Sequence, residues 1–128
     1  MDPNTLKQLI CAAFPAGRLH DLTVALHACP ECDRVNDDFR GKRWTEVDAP
    51  TIEYHFDSLP LLSPDAFRHY VPAYMVYAID HPDSTIAEFL MYSMENSGGR
   101  HMPGFTAQQE QAIAAVCSLL SERADSAG

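Results

Sequence analysis

The chain has 128 residues, with 9 basic and 18 acidic side chains and a formal charge of −9; that length buries a core without disulfide or metal staples, so one domain over 1–128 is expected. The acidic excess repels phosphate backbones and anionic lipid, which excludes nucleic acid and membrane surfaces as partners; it is either ordinary solubility or a field that steers a basic protein partner. Met1-Asp2-Pro3-Asn4 has no basic stretch ahead of an apolar one and no apolar run reaches spanning length, so a cytoplasmic address is expected, where cysteines are thiols or metal ligands rather than a disulfide framework.

Leu6, Leu9, Ile10 and Ala13 recur at helical spacing behind Asp2-Pro3, which predicts a capped helix ending near Phe14. Pro15 and Gly17 break it. Arg18 to Ala28 reads mostly as loop, with Leu22, Val24 and Leu26 alternating as in a short extended piece. Pro30 restarts a helix, with Cys29 as its cap, Glu31 and Asp33 at its positive end, and Val35 and Phe39 on one face before Gly41. Trp44 is expected to seal that helix against the core. A short helix from about Pro50 to Asp57 would place Ile52 and Phe56 together.

Ser63-Pro64-Asp65 is a strong helix start. The helix it opens should run to about Ile79, with Phe67, Val71, Tyr74, Met75 and Ala78 in one stripe widened by Tyr70, Ala73 and Tyr77; apolar around most of its girth, it belongs at the centre of the fold, and Pro72 should kink it. A further helix is capped by Asp83 or Ser84 and carries Ile86, Phe89, Leu90 and Met94. Asn96 to Gly104 is a glycine-rich loop. Thr106 and Gln109 form a capping box for the last helix, whose buried stripe is Ile113, Val116, Cys117 and Leu120, and whose end should fray from Asp125. The fold class expected is all-α: an irregular orthogonal bundle of about five or six helices around the kinked one.

Two stretches stand out: His27-Ala28-Cys29-Pro30-Glu31-Cys32-Asp33 with Phe39-Arg40-Gly41-Lys42-Arg43-Trp44, and Leu62-Ser63-Pro64-Asp65-Ala66-Phe67-Arg68-His69-Tyr70-Val71-Pro72-Ala73-Tyr74. Over roughly Leu6 to Tyr92 the chain resembles a family of small uncharacterised bacterial proteins, a domain of unknown function. The resemblance implies no reaction or substrate. It implies that the cysteine pair and the kinked helix belong to one recurrent module.

The chemistry concentrates at His27, Cys29 and Cys32. Zinc takes tetrahedral thiolate and imidazole sets, and a C-x-x-C turn brings two sulfurs to one ion with His27 as a third ligand. The fourth would be His55, on the nearby short helix, ahead of His20, His69 or His101. Thiol chemistry competes, because Cys29 at a helix N-terminus has a stabilised thiolate and Cys32 one turn on is its resolving partner; Glu31, Asp33 and the lack of a thioredoxin-like strand oppose it. The plainest reading is two reduced cysteines closing a helix end. Cys11 and Cys117 are expected to be small buried hydrophobes. No G-x-S-x-G elbow frames a Ser-His-Asp set, and Gly98-Gly99-Arg100 lacks the P-loop lysine and spacing. Arg68 and His69 read as a satisfied helix face rather than a cleft lining. Tyr70, Tyr74, Tyr77 and Tyr92 are either core residues with polar tips or a surface covered by a second copy or a partner.

Function is read from charge and from the lack of a catalytic frame. The expectation is a non-catalytic cytosolic interaction or accessory protein, immunity- or inhibitor-like, that binds a basic protein. The alternative is a small zinc- or thiol-dependent enzyme built on His27, Cys29 and Cys32.

Overall fold

Helix starts in this chain are written in side chains that accept from the first turn. A computed structural model describes residues 2–17, 24–25, 29–96 and 104–127. Among them are six α-helices: α1 Pro3–Ala13, α2 Pro30–Phe39, α3 Ala49–Tyr54, α4 Pro64–Asp80, α5 Thr85–Asn96 and α6 Ala107–Ala127, with single 3-10 turns at Trp44–Glu46 and Leu59–Leu61. Asp2, Cys29, Asp48 and Ser63 cap α1 to α4, each followed by a proline in the first two helical positions. There the missing N–H costs nothing and the fixed φ favours the helix. Ser84 Oγ accepts from the Ala87 amide at 3.1 Å and so caps α5. Thr106 and Gln109 exchange side chain for backbone amide at 3.0 and 3.1 Å, the predicted capping box of α6.

The all-α expectation holds, with α4 in the middle: it packs against α1, α3, α5, α6 and the turn at Trp44–Glu46. Tyr70, Val71, Tyr74, Met75 and Ala78 on it are fully buried. Both buried tyrosines spend their hydroxyls on the α2–α3 side of the fold. Tyr70 donates to the carbonyls of Phe39 and, at 3.1 Å, Lys42, and Tyr74 donates to the carbonyl of His55 at 2.7 Å. Burial pushes the Tyr70 phenol up to about 12, so it remains a donor throughout the physiological range. Trp44 is buried and its Nε1 donates to the Phe14 carbonyl at 3.1 Å, satisfying an acceptor left over where α1 ends. No helix among the described residues is long and apolar enough to cross a membrane.

Several expectations are corrected. Cys11 is exposed, because α1 buries Leu6, Ile10 and Ala13 and one further step of 100° carries position 11 off that stripe. Cys117 is half-buried, its thiol donating to the Met94 sulfur at 3.6 Å. Phe89 is 38% exposed and meets Phe56 edge-on at 5.4 Å between ring centroids, so the two share a surface cluster. α3 stops at Tyr54 rather than Asp57, and α6 continues through Asp125 to Ala127. Of the segment Arg18 to Ala28, Val24 is buried and Ala25 forms an isolated antiparallel bridge with Leu62; Leu22, Leu26 and the loop at 97–103 lie outside the described residues.

Candidate functional site

The C-x-x-C pair closes the start of α2. Cys29 stands at the cap, half-buried, and its Sγ accepts from the Cys32 amide at 3.2 Å; Cys32 is fully buried on the inner face of the first turn, and neither is joined in a disulfide. Proline at the next position and the acidic pair Glu31 and Asp33 match the positive end of the helix. His27, the third member of the predicted set, lies outside the described residues, as do His20 and His101. Among the described residues no three His, Cys, Asp or Glu side chains converge as metal ligands, so Cys29, Cys32 and His55 do not form such a group.

His55 is occupied in another way. It is the residue at which α3 ends, it is 2% exposed, and its ring packs on Phe39 and Tyr54 at centroid distances of 5.2 and 4.9 Å. Its Nε2 lies 2.7 Å from Oδ2 of Asp38, on the last turn of α2, and its Nδ1 lies 3.1 Å from Oγ of Ser58. Both ring nitrogens are thus engaged by Asp38 and Ser58. The turn carrying Ser58 is held from beneath: the Ser58 amide donates to the His55 carbonyl at 3.1 Å, and Tyr74 donates to the same oxygen.

The electronic state of this relay is set by its acceptor. Burial works against the Asp38 charge, but hydrogen bonds from His55 and Arg34, with the Arg34 charge, outweigh it and hold the carboxyl below its ordinary range. Asp38 is therefore ionised at neutral pH and can only accept. In the neutral imidazole the proton must then sit on Nε2, Nδ1 carries the lone pair, and the Ser58 hydroxyl donates to it. Arg34 completes the constellation, with Nε 3.0 Å from the same Asp38 Oδ2 and its guanidinium 4.5 Å above the Tyr54 ring. A cleft of about 310 Å³ opens here, lined by Pro30, Glu31, Arg34, Tyr54, His55, Asp57 and Ser58.

A second, wider cleft of about 520 Å³ runs between the end of α1 and the starts of α4 and α6, lined by Phe14, Pro15, Gly17, Asp65, Arg68, His69, Gly104, Thr106 and Gln109. Arg68 and His69 thus do line a cleft. His69 is half-buried with Nε2 3.4 Å from the Lys42 carbonyl, and burial, partly opposed by that carbonyl, lowers its basicity. Gly104 closes over Arg68 at φ +108°.

Sequence reasoning found Cys29, Cys32 and His55 as special but missed Asp38 and Ser58. The one available signal, a serine three residues after a histidine, is common in any chain, and Asp38 is 17 residues from its partner. The model of a family of unknown function (DUF6714) matches residues 5–127, and the chain belongs to that family. No curated protein and no solved structure matches the chain.

Proposed function

We propose that this DUF6714 member is an acidic partner-binding protein, accessory, inhibitor or immunity-like in role, which docks a basic protein on the face formed by α2 and α3. The placement of charge carries this reading. Positions 31 to 57 hold eight carboxylates against four cations. Glu31, Asp33, Asp37, Glu53 and Asp57 in that stretch are exposed, and one of the cations, Arg34, is already committed to Asp38. Tyr54, 59% exposed, lines the cleft on this face together with Glu31 and Asp57, and an exposed aromatic edge beside carboxylates suits the side chains of a basic partner. Such a field raises the encounter rate with a basic partner and falls with ionic strength.

Affinity purification from the native host, with and without added salt, tests it. The expected result is a stoichiometric partner of basic isoelectric point whose retention falls as salt rises, is lost on Glu31→Lys with Asp57→Lys, and survives Glu110→Lys on α6. A partner indifferent to salt and to the paired reversal, or no stoichiometric partner at all, overturns the reading.

A further inference from the structure

Beyond partner binding, we infer that Ser58 is an activated nucleophile, with His55 as its general base and Asp38 as the positioning residue, and that the cleft they line hydrolyses small carboxylic esters. Three observations converge. The hydroxyl, imidazole and carboxylate form an unbroken line, Oγ to Nδ1 at 3.1 Å and Nε2 to Oδ2 at 2.7 Å. The acceptor-only carboxylate fixes the tautomer in which Nδ1 is able to take the serine proton, which is the arrangement that hydroxyl activation requires. Finally, Ser58 and His55 are both among the residues lining the 310 Å³ cleft.

The electrostatics of the lining define the substrate class. Arg34, whose Nε donates to Asp38, lines the same cleft and supplies a positive charge for a developing oxyanion. Glu31 and Asp57 lie on the same lining and favour an ester whose alcohol portion is cationic over one that is anionic. In the forward step Ser58 Oγ bonds to the carbonyl carbon as its proton passes to His55 Nδ1. The bond from that carbon to the alcohol oxygen then breaks, and the alcohol leaves with the proton from His55. Water attacks the acyl carbon next, giving a proton to His55 Nδ1, and the bond from that carbon to Ser58 Oγ breaks as His55 returns the proton to Oγ, releasing the carboxylic acid. Ester and water become acid and alcohol, with no other reactant.

Fluorophosphonate labelling of the intact wild-type protein, with the modified peptide located by mass spectrometry, is the primary test, because it needs no variant to fold. The expected result is label on Ser58, together with hydrolysis of p-nitrophenyl acetate and of acetylcholine above the buffer rate. Ser58→Ala should return both to the buffer rate with its circular dichroism unchanged. Asp38→Asn should slow hydrolysis at least tenfold and move the inflection of its pH profile to lower pH, a displacement that a purely structural aspartate would not produce. Absence of label from Ser58 in folded protein, or hydrolysis that survives Ser58→Ala, overturns the inference. Such a result leaves the docking proposal standing, since that depends on Glu31 and Asp57 at the surface.

Discussion

Asp38→Ala isolates the relay from the rest of the fold. The substitution removes a side chain that is 28% exposed and leaves the Nε2–H of a 2%-exposed histidine without an acceptor. A buried donor stripped of its partner costs about 1–3 kcal/mol. The lost pairing with Arg34 adds little, because that side chain is 55% exposed and water screens it. The expected destabilisation is therefore about 2 kcal/mol, which for a chain of this size lowers Tm by roughly 6–10 °C. Urea unfolding at neutral pH measures it, with Asp37→Ala, an exposed neighbour on α2, as the control expected to change stability by less than about 0.5 kcal/mol. His55→Leu and the double variant complete a cycle. Because the second substitution removes the orphan created by the first, the double variant should lose less than the sum of the singles by about 1 kcal/mol or more. Additivity within about 0.5 kcal/mol would refute the claim that the carboxylate and the imidazole stabilise the fold as a unit.

The cap of α2 makes a sharper side-chain test: Cys29→Ser should be neutral or stabilising, since a hydroxyl accepts from the Cys32 amide better than a thiol does, whereas Cys29→Ala should cost about 1 kcal/mol by thermal melting. Gly104→Ala should cost about 1–3 kcal/mol, because φ +108° strains any residue with a Cβ and the new carbon would stand 2.9 Å from the Arg68 guanidinium. Arg68→Ala added to it should restore only a minor part, the flexible guanidinium being easily displaced while the backbone strain remains. For pH, the Asp38 carboxyl is depressed relative to its ordinary value of 3.8, so its contribution is fully present above 3.8 and is lost as pH falls below that through its folded value. The stability gap between wild type and Asp38→Asn, followed by urea midpoints from about pH 5 to about pH 2, should accordingly shrink towards the acid end.

Much of the architecture was legible because helix signals are local. Asp2, Cys29, Ser63 and Thr106 each announce a helix through a proline or a capping partner no more than three residues further along, and the stripe from Phe67 to Ala78 repeats within one segment, so its central place could be read before any neighbour was known. Where a prediction depended on what a residue would face, it fared worse. Phe89 has helical spacing with Ile86 and Leu90 yet sits at the surface against Phe56. Cys11 is chemically a core residue and lies on the wet side of α1.

The site divides along the same line. The position of Cys29 at a helix mouth was implied by Pro30 with Glu31 and Asp33 close behind it. That the His55 ring meets Asp38 and Ser58 was decided only when the end of α2, the end of α3 and the turn at Ser58 closed on one another over the Tyr74 hydroxyl. Helix capping and periodicity are interactions among residues three and four apart, which covalent order already places together. A hydrogen-bonded carboxylate, imidazole and hydroxyl drawn from separate elements acquire their chemistry from packing, which brings together groups that the order of residues leaves unrelated.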